Sequence, residues 1–174
     1  MDFLDPNIEA YALAHTSPES ELLAELNRET WSKVLIPRML SGHLQGRVLS
    51  MVSKLIQPKY ILEVGTYTGY SALCLAEGLQ KDGELHTIDI NEELETMIKK
   101  YFSKSPQGQN ITSHIGNALE IISTLNKPWD LVFIDADKEN YANYYDLDVV
   151  YYTIKPTQFE YGDSFFLVNM IEDK

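Results

Sequence analysis

Four short apolar runs, each closed by a glycine or an acid, alternate with helical segments through the middle of the chain. Tyr60–Val64 runs into Gly65. Glu84–Asp89 ends on its own acid. Ile111–Ile115 is followed by Gly116-Asn117, and Leu131–Ile134 by Asp135-Ala136-Asp137. Runs of this length, bounded by turn residues, read as buried strands. Between them lie Ser71–Leu79, a segment from Asn91 to about Phe102, and Ala118–Leu125, all with helical patterning. Asn91 is a good N-cap, with Glu92 and Glu93 favourable in a first turn. Strands alternating with helices predict an α/β fold with a mostly parallel sheet covered on both faces. In such sheets ligands bind outside the carboxyl ends of the strands, which is where the unusual residues of this sequence collect.

The flanks are simpler. Ser17-Pro18-Glu19 predicts a helix start, running to about Asn27. Leu44, Val48, Met51, Val52, Leu55 and Ile56 recur at helical spacing and predict an amphipathic helix over 43–56, stopped by Pro58. Residues 139–150 read as helix. At 174 residues the chain reads as one domain, 1–174. Residues 1–57 carry N-terminal helices, 58–146 a ligand-binding core, and 147–174 a tail of different character. No apolar run reaches the roughly 20 residues of a membrane span. The start, MDFLDPNIEA, has neither a basic region nor an apolar one. These features predict a cytoplasmic protein. Cys74 is the single cysteine, so neither a disulfide framework nor a cysteine zinc site is expected; it reads as a small core residue.

Charge is unevenly spread. Residues 1–30 hold seven acids and one base, whereas residues 31–60 hold Lys33, Arg38, Arg47, Lys54 and Lys59 and no acid. A net charge of −12 argues against broad nucleic-acid binding. The basic segment alone leaves room for a phosphate-bearing acceptor, and otherwise reads as a solvated helix face.

Strand one leads into Glu63-Val64-Gly65-Thr66-Tyr67-Thr68-Gly69-Tyr70-Ser71 and a helix. Gly65 allows a sharp turn and close approach of backbone to a ligand. Asp89 follows 24 residues later, where a carboxylate can accept bonds from ribose hydroxyls. The second glycine of the dinucleotide fingerprint is absent, as is a phosphate-cradling G-x-x-x-x-G-K-[ST]. Glu63 repels phosphate but suits a cationic amino group. The pattern therefore predicts a nucleoside with a zwitterionic amino-acid tail, and S-adenosylmethionine (SAM) fits it. The plainer reading makes Gly65 and Gly69 ordinary turn glycines.

E-V-G-T-Y-T-G-Y-S, T-I-D-I-N, G-N-A-L-E-I-I and F-I-D-A-D-K-E-N-Y, in that order, resemble the cation-dependent O-methyltransferases of the catechol and caffeoyl-CoA type. The segment Met39–Arg47 resembles bacterial members. The resemblance covers about residues 35–146 and implies a class I, Rossmann-like methyltransferase fold. It places Ser41 against the methionine part of SAM, and Glu63, Gly65, Thr66, Tyr67 and Ser71 around its amino-acid tail and sulfonium. It gives the ribose to Asp89, the adenine to Asn117 and Ala118, and a further cofactor contact to Asp137. Asp135 becomes the ligand of a divalent cation, Mg2+ above all, and Lys138 a general base. A cation that lowers a hydroxyl's pKa, a base, and an aligned methyl group together make methyl transfer to a catechol-like acceptor feasible.

The resemblance departs after Asp146. Where the family has Lys-Pro-Gly-Gly, this chain has Lys155-Pro156-Thr157-Gln158, and no Asp-Asn pair follows to complete a cation site. Asn169, after the apolar run Phe165–Val168, is the one residue placed to imitate a ligand; Asp163 precedes that run. The departure reads as an altered or truncated C-terminus, or as a divergent edge. A sheet lacking its last strands has an open edge, so a homodimer is expected. Three functions stay open: a SAM-dependent O-methyltransferase, a cofactor-binding member without turnover, and a tRNA hydroxyuridine O-methyltransferase. A nucleotide-dependent oxidoreductase is disfavoured by Gly65-Thr66-Tyr67. The four histidines lack metal-site spacing. Trp129 reads as packing, and Trp31 as a surface residue or a wall of the acceptor pocket.

Overall fold

A computed structural model describes residues 5–140, 142–144 and 165–168. Five parallel strands stand in the order β3-β2-β1-β4-β5. They are β1 (Tyr60–Val64), β2 (Glu84–Asp89), β3 (Ile111–Ile115), β4 (Leu131–Ile134) and β5 (Phe165–Val168). Tyr60 lies opposite Glu84 on one side of β1, and Ile61 opposite Leu131 on the other. The first four strands coincide with the four apolar runs, and the fifth with the run after the motif pattern breaks down. The expected α/β class and parallel sheet are present.

Because strand side chains alternate, the sheet buries two different sets. Ile61, Leu85, Leu131 and Phe133 face one layer of helices. That layer is α2 (Glu21–Lys33), α3 (Gly42–Ile56), α4 (Tyr70–Ala76) and α5 (Glu95–Lys104). Leu62, Val64, Ile88, Val132 and Ile134 face α6 (Ala118–Leu125), Trp129 and Tyr144. Trp129 is buried packing, as its position before β4 suggests. Cys74 is buried in α4.

The helices depart from expectation in several places. Ser20, not Ser17, caps α2, accepting from the Leu23 amide at 3.3 Å. The reason is the buried face: Leu23, Leu26 and Thr30 fall at helical spacing, so the helix must run past Asn27 to Lys33. A further helix, α1 (Pro6–Ala14), starts at Asp5, which accepts from the Asn7 amide at 2.8 Å, with Pro6 in the first turn. Of the helix expected over 139–150, Glu139 and Asn140 fall in a 3-10 turn (Lys138–Asn140) and residues 142–144 are helical. Residues 145–150, and Asp163 and Asn169, lie outside the described residues.

α3 forms where its apolar stripe predicts it, but only part of that stripe packs: Leu44, Val52 and Ile56 are half-buried, and Ile56 reaches the core. Val48, Met51 and Leu55 are 53%, 55% and 77% exposed. The packed face is Gly46, Leu49, Ser50 and Ser53. Small residues win because α4 crosses close by. A Cβ on Gly46 would lie 2.7 Å from Tyr70 Cε1 and 2.8 Å from Cys74 Sγ, and Ser53 donates to the Leu75 carbonyl at 2.6 Å. Glu77 then ties the pair, accepting from Arg47 at 2.6 and 3.1 Å, Ser50 at 2.7 Å and Lys54 at 2.7 Å. A Gly46→Ala variant gains about 1 kcal/mol of helix propensity but overpacks this contact, and urea unfolding should record a net loss of about 1–2 kcal/mol. A gain in stability would show that the two helices are not this close.

Candidate functional site

The glycine loop is pinned on both sides. The Gly65 amide donates to the Ile88 carbonyl on β2 at 2.8 Å, and the Asp135 amide donates to the Val64 carbonyl at 2.8 Å. Gly65 has φ +107°, and a Cβ there would sit 2.0 Å from the Asp135 carbonyl oxygen. No other residue type can occupy this position without moving β1 from β4. Tyr67, two residues on, is in the left-handed region at φ +48°, which is uncommon for a non-glycine residue. Two bonds hold it there. Its amide donates to Asp89 Oδ2 at 2.6 Å, and its hydroxyl donates to the Ile36 carbonyl at 2.8 Å. Asp89 Oδ1 accepts from the Asn91 amide at 2.9 Å. The carboxylate is thus fixed at the end of β2 by backbone amides. Each oxygen still has a lone pair beyond the one used.

A cavity of about 1300 Å³ opens above the carboxyl ends of the strands. Ser41, Gly65, Tyr67 and Asp89 line one part of it, and Asn117, Ala118, Asp135 and Asp137 another. The sequence spreads these residues over nearly a hundred positions; the parallel topology gathers them at one edge. Asn117 caps α6, its side chain accepting from the Leu119 amide at 3.0 Å. Asp137 accepts from Tyr144 Oη at 2.5 Å and from the Asn140 side-chain amide. The side chain of Lys138 lies outside the described residues.

Glu63, Thr66 and Ser71, expected around the cofactor tail, are buried behind the cavity rather than among the residues that line it. Alternation along β1 sends Val64 toward the α6 face and Glu63 to the other, under α4. Glu63 is fully buried. Its Oε2 accepts from Thr87 Oγ1 at 2.5 Å, and Thr87 and Thr66 hydroxyls lie 2.6 Å apart. Oε1 completes no hydrogen bond. Burial pushes this carboxyl up to about 8; the Ser71 and Thr87 hydroxyls oppose the rise, and the charges of Asp135 and Asp89 add to it. Glu63 is therefore neutral at pH 7.

Sequence reasoning missed much of the outer wall. Val34, Ile36, Met39 and Leu40 line the cavity, as does Ile90, which is 79% exposed beside Asp89. An apolar residue left in solvent directly after a strand-ending acid was the available signal. Tyr144 also lines it. Trp31, by contrast, is 61% exposed and lies off the cavity wall. The basic segment is largely neutralised by ion pairs. Lys33 pairs with Glu29 at 2.8 Å, and Arg47 and Lys54 pair with Glu77 at 2.6 and 2.7 Å. Arg38 alone of the five both lines the cavity and has no ion pair among the described residues. Lys100, Lys33 and the Tyr101 hydroxyl hold Glu29 down at about 2.

A cation site is not assembled by the described residues. No group of three or more His, Cys, Asp or Glu side chains among them is placed to hold a metal ion. Asp137 accepts one hydrogen bond on each oxygen, from Tyr144 and Asn140. The cofactor side is different: the cavity, the fixed Asp89 carboxylate and the capped Asn117 fit a nucleoside with a polar tail.

The O-methyltransferase family profile matches residues 13–152. The chain belongs to the O-methyltransferase family. It is 35% identical to a caffeoyl-CoA O-methyltransferase of Medicago sativa over 133 residues, 73% of this chain and 53% of that protein. It is 36% identical over 133 residues to the caffeoyl-CoA O-methyltransferase of Petroselinum crispum, covering 73% and 55%. Among solved structures, the O-methyltransferase TomG from Streptomyces achromogenes, in complex with SAM, superposes with a TM-score of 0.76 at 28% identity. That match covers 83% of this chain and 66% of TomG. The SAH-bound methyltransferase PaMTH1 of Podospora anserina gives a TM-score of 0.79 at 26% identity, covering 89% and 70%. The chain spans about half the length of the curated relatives it matches. No helix among the described residues is long and apolar enough to cross a membrane.

The buried Glu63 gives this member of the O-methyltransferase family a pH signature. Folded Glu63 keeps its proton between the ordinary 4.5 and about 8, while the unfolded chain releases it. The folded state binds more protons, so stability falls as pH rises through that window. His86 and His114, both held below 6.5 by burial, are neutral above it. Between pH 6.5 and 8 the slope should therefore reach up to about 1.4 kcal/mol per pH unit. It should vanish in Glu63→Gln, read by urea midpoints. Equal slopes in the two proteins would contradict the assignment.

Proposed function

We propose that the chain carries the cofactor-binding part of a SAM-dependent O-methyltransferase acting on a small hydroxylated aromatic acceptor. The observation that carries this is the cavity. At about 1300 Å³ it exceeds the range of roughly 300–1,000 Å³ typical of a single small-molecule site, so it has room for a cofactor and an acceptor together. Family membership and the SAM- and SAH-bound structures with similar folds support the cofactor.

In this reading Asp89 accepts from the ribose hydroxyls through the lone pairs that Tyr67 and Asn91 leave free. Asn117 and Ala118 flank the adenine, and Ser41, Gly65 and Tyr67 border the amino-acid tail. Glu63, Thr66 and Ser71 act from behind, by holding β1, β2 and α4 in place. When bound, SAM would supply an electrophilic methyl group: its carbon would bond to the acceptor oxygen as the C–S bond breaks, and a neutral thioether would leave. The apolar wall of Ile36, Met39, Leu40 and Ile90 takes the body of the acceptor and keeps water from the reacting oxygen. Asp135, at the polar floor, orients the acceptor hydroxyl. Lys138, on the 3-10 turn three residues later, takes its proton. Arg38 at the wall favours an acceptor that carries an anionic group.

The test is transfer of a labelled methyl group from SAM to a panel: a plain catechol, a carboxylated catechol and tRNA, each with and without Mg2+. Transfer to the catechols is expected, faster with the carboxylated one. Asp89→Ala should cut it by at least about tenfold, corresponding to one lost charged hydrogen-bond set of roughly 1.5–3 kcal/mol. Transfer to tRNA with none to either catechol would overturn the acceptor class.

A further inference from the structure

We propose that His86 and His114 are a positioning pair for the nucleoside end of the site, holding Asn117 and Ala118 in place while both rings are neutral and releasing them when His114 takes up a proton. This rests on the cofactor reading above, which puts the adenine at those two residues. The two histidines stand on neighbouring strands, with His86 opposite Thr112 and His114 opposite Ile88. Alternation puts both on the Ile88 face, toward α6. His86 Nδ1 and His114 Nε2 lie 2.9 Å apart, with the rings 14° from parallel. Trp129 meets His86 edge-on, 5.6 Å between ring centres.

The hydrogen-bond inventory assigns the protons. Lys127 and His86 hold Glu84 below the usual carboxylate range, so Glu84 only accepts. His86 Nε2, 3.3 Å from Glu84 Oε2, therefore carries a hydrogen. Nδ1 of the neutral ring is then an acceptor, and His114 Nε2 donates to it. His114 Nδ1 is left bare and takes the next proton. Glu84 is poorly placed to neutralise that charge, since it sits at the far nitrogen of His86 and pairs with Lys127 at 2.7 Å. Glu84 from β2 and Lys127 from the segment after α6 are the charged groups that face the pair among the described residues. Burial holds both rings below 6.5; Lys127 adds to this for His86, against Glu84, and His86 adds to it for His114.

A charged His114 is thus driven toward water, and its position lets it go. β3 is an edge strand of the described sheet, and His114 is half-buried where His86 is buried. β3 runs directly into the cofactor end of the cavity. The Gly116 amide donates to the Asp89 carbonyl at 2.8 Å, and Asn117 caps α6. Ala118, Ile122 and Trp129 share one cluster with Ile88, the residue opposite His114. Opening the pair loosens this side, whereas the Asp89 carboxylate keeps its bonds from the Tyr67 and Asn91 amides.

The test compares the full chain with His114→Gln at roughly pH 7.5 and 5.5, either side of the ordinary histidine range. The glutamine amide still donates to His86 Nδ1 but does not titrate. Amide hydrogen exchange, corrected for its intrinsic pH dependence, should show protection of residues 114–119 falling about tenfold relative to β1 on acidification in the wild type, and not in the variant. SAM affinity, by calorimetry, should fall about three- to tenfold over the same interval in the wild type and stay level in the variant. A purely structural pair would give both proteins the same pH profile. A nitrogen-15 NMR titration of the wild-type rings needs no variant, and should find His114 protonated on Nε2 alone at the higher pH. Unchanged protection in the acidified wild type overturns the proposal, as does an acid loss that persists in His114→Gln or a hydrogen on His114 Nδ1 at the higher pH. The expected exchange pattern with no SAM binding at either pH would support the proton-controlled pair and contradict the cofactor reading instead.

Discussion

The contact between Gly65 and the Asp135 carbonyl is the constraint on which the site depends. It is backbone against backbone, at a separation where a Cβ would lie 2.0 Å from the oxygen. That contact lets β1 and β4 end side by side, so the loops that follow them open into one cavity. Neighbouring bonds carry the same geometry outward. Gly65 reaches β2 through Ile88, Tyr67 reaches Asp89, and the Tyr67 hydroxyl reaches Ile36. The wall of residues 34–40, which comes from a different part of the chain, is thereby tied to the floor.

Glu63 and Asp89 show how the fold sorts similar side chains. Both are acids at or near the ends of adjacent strands. Asp89 stands at the strand end, takes two backbone amides, and faces the cavity. Glu63 lies two residues before its loop, points under α4, and is neutralised by burial. One is suited to hold a ligand and the other to hold the scaffold. The difference follows from depth along the strands: Glu63 pairs with Thr87, so Asp89 stands on the same face two residues further on, past the end of β1.

Much of this was legible in the sequence. The strands, their order of appearance and the gathering of Gly65, Asp89, Asn117 and Asp135 follow from local runs ended by turn residues, and those signals are local. The start of α2 was not legible from caps alone, because Ser17-Pro18 and Ser20 are both good caps and the burial of Leu23, Leu26 and Thr30 chooses between them. The face of α3 was only partly legible because apolar periodicity announces a helix without saying what lies against it; Gly46 and Ser53 are buried by the close approach of α4. The side of the sheet that Glu63 faces depends on which helix covers it, which is tertiary information. The motif pattern past Asp146 led to no firm expectation, yet Phe165–Val168 pairs in parallel with β4.

The most direct measurement is calorimetric titration of the chain with SAM, alongside Asp89→Ala. The account predicts one-site binding in the micromolar range, weakened by about tenfold or more in the variant, with its circular dichroism unchanged. A natively folded chain that binds no SAM, or binds it equally well without the Asp89 carboxylate, would contradict the site as assigned.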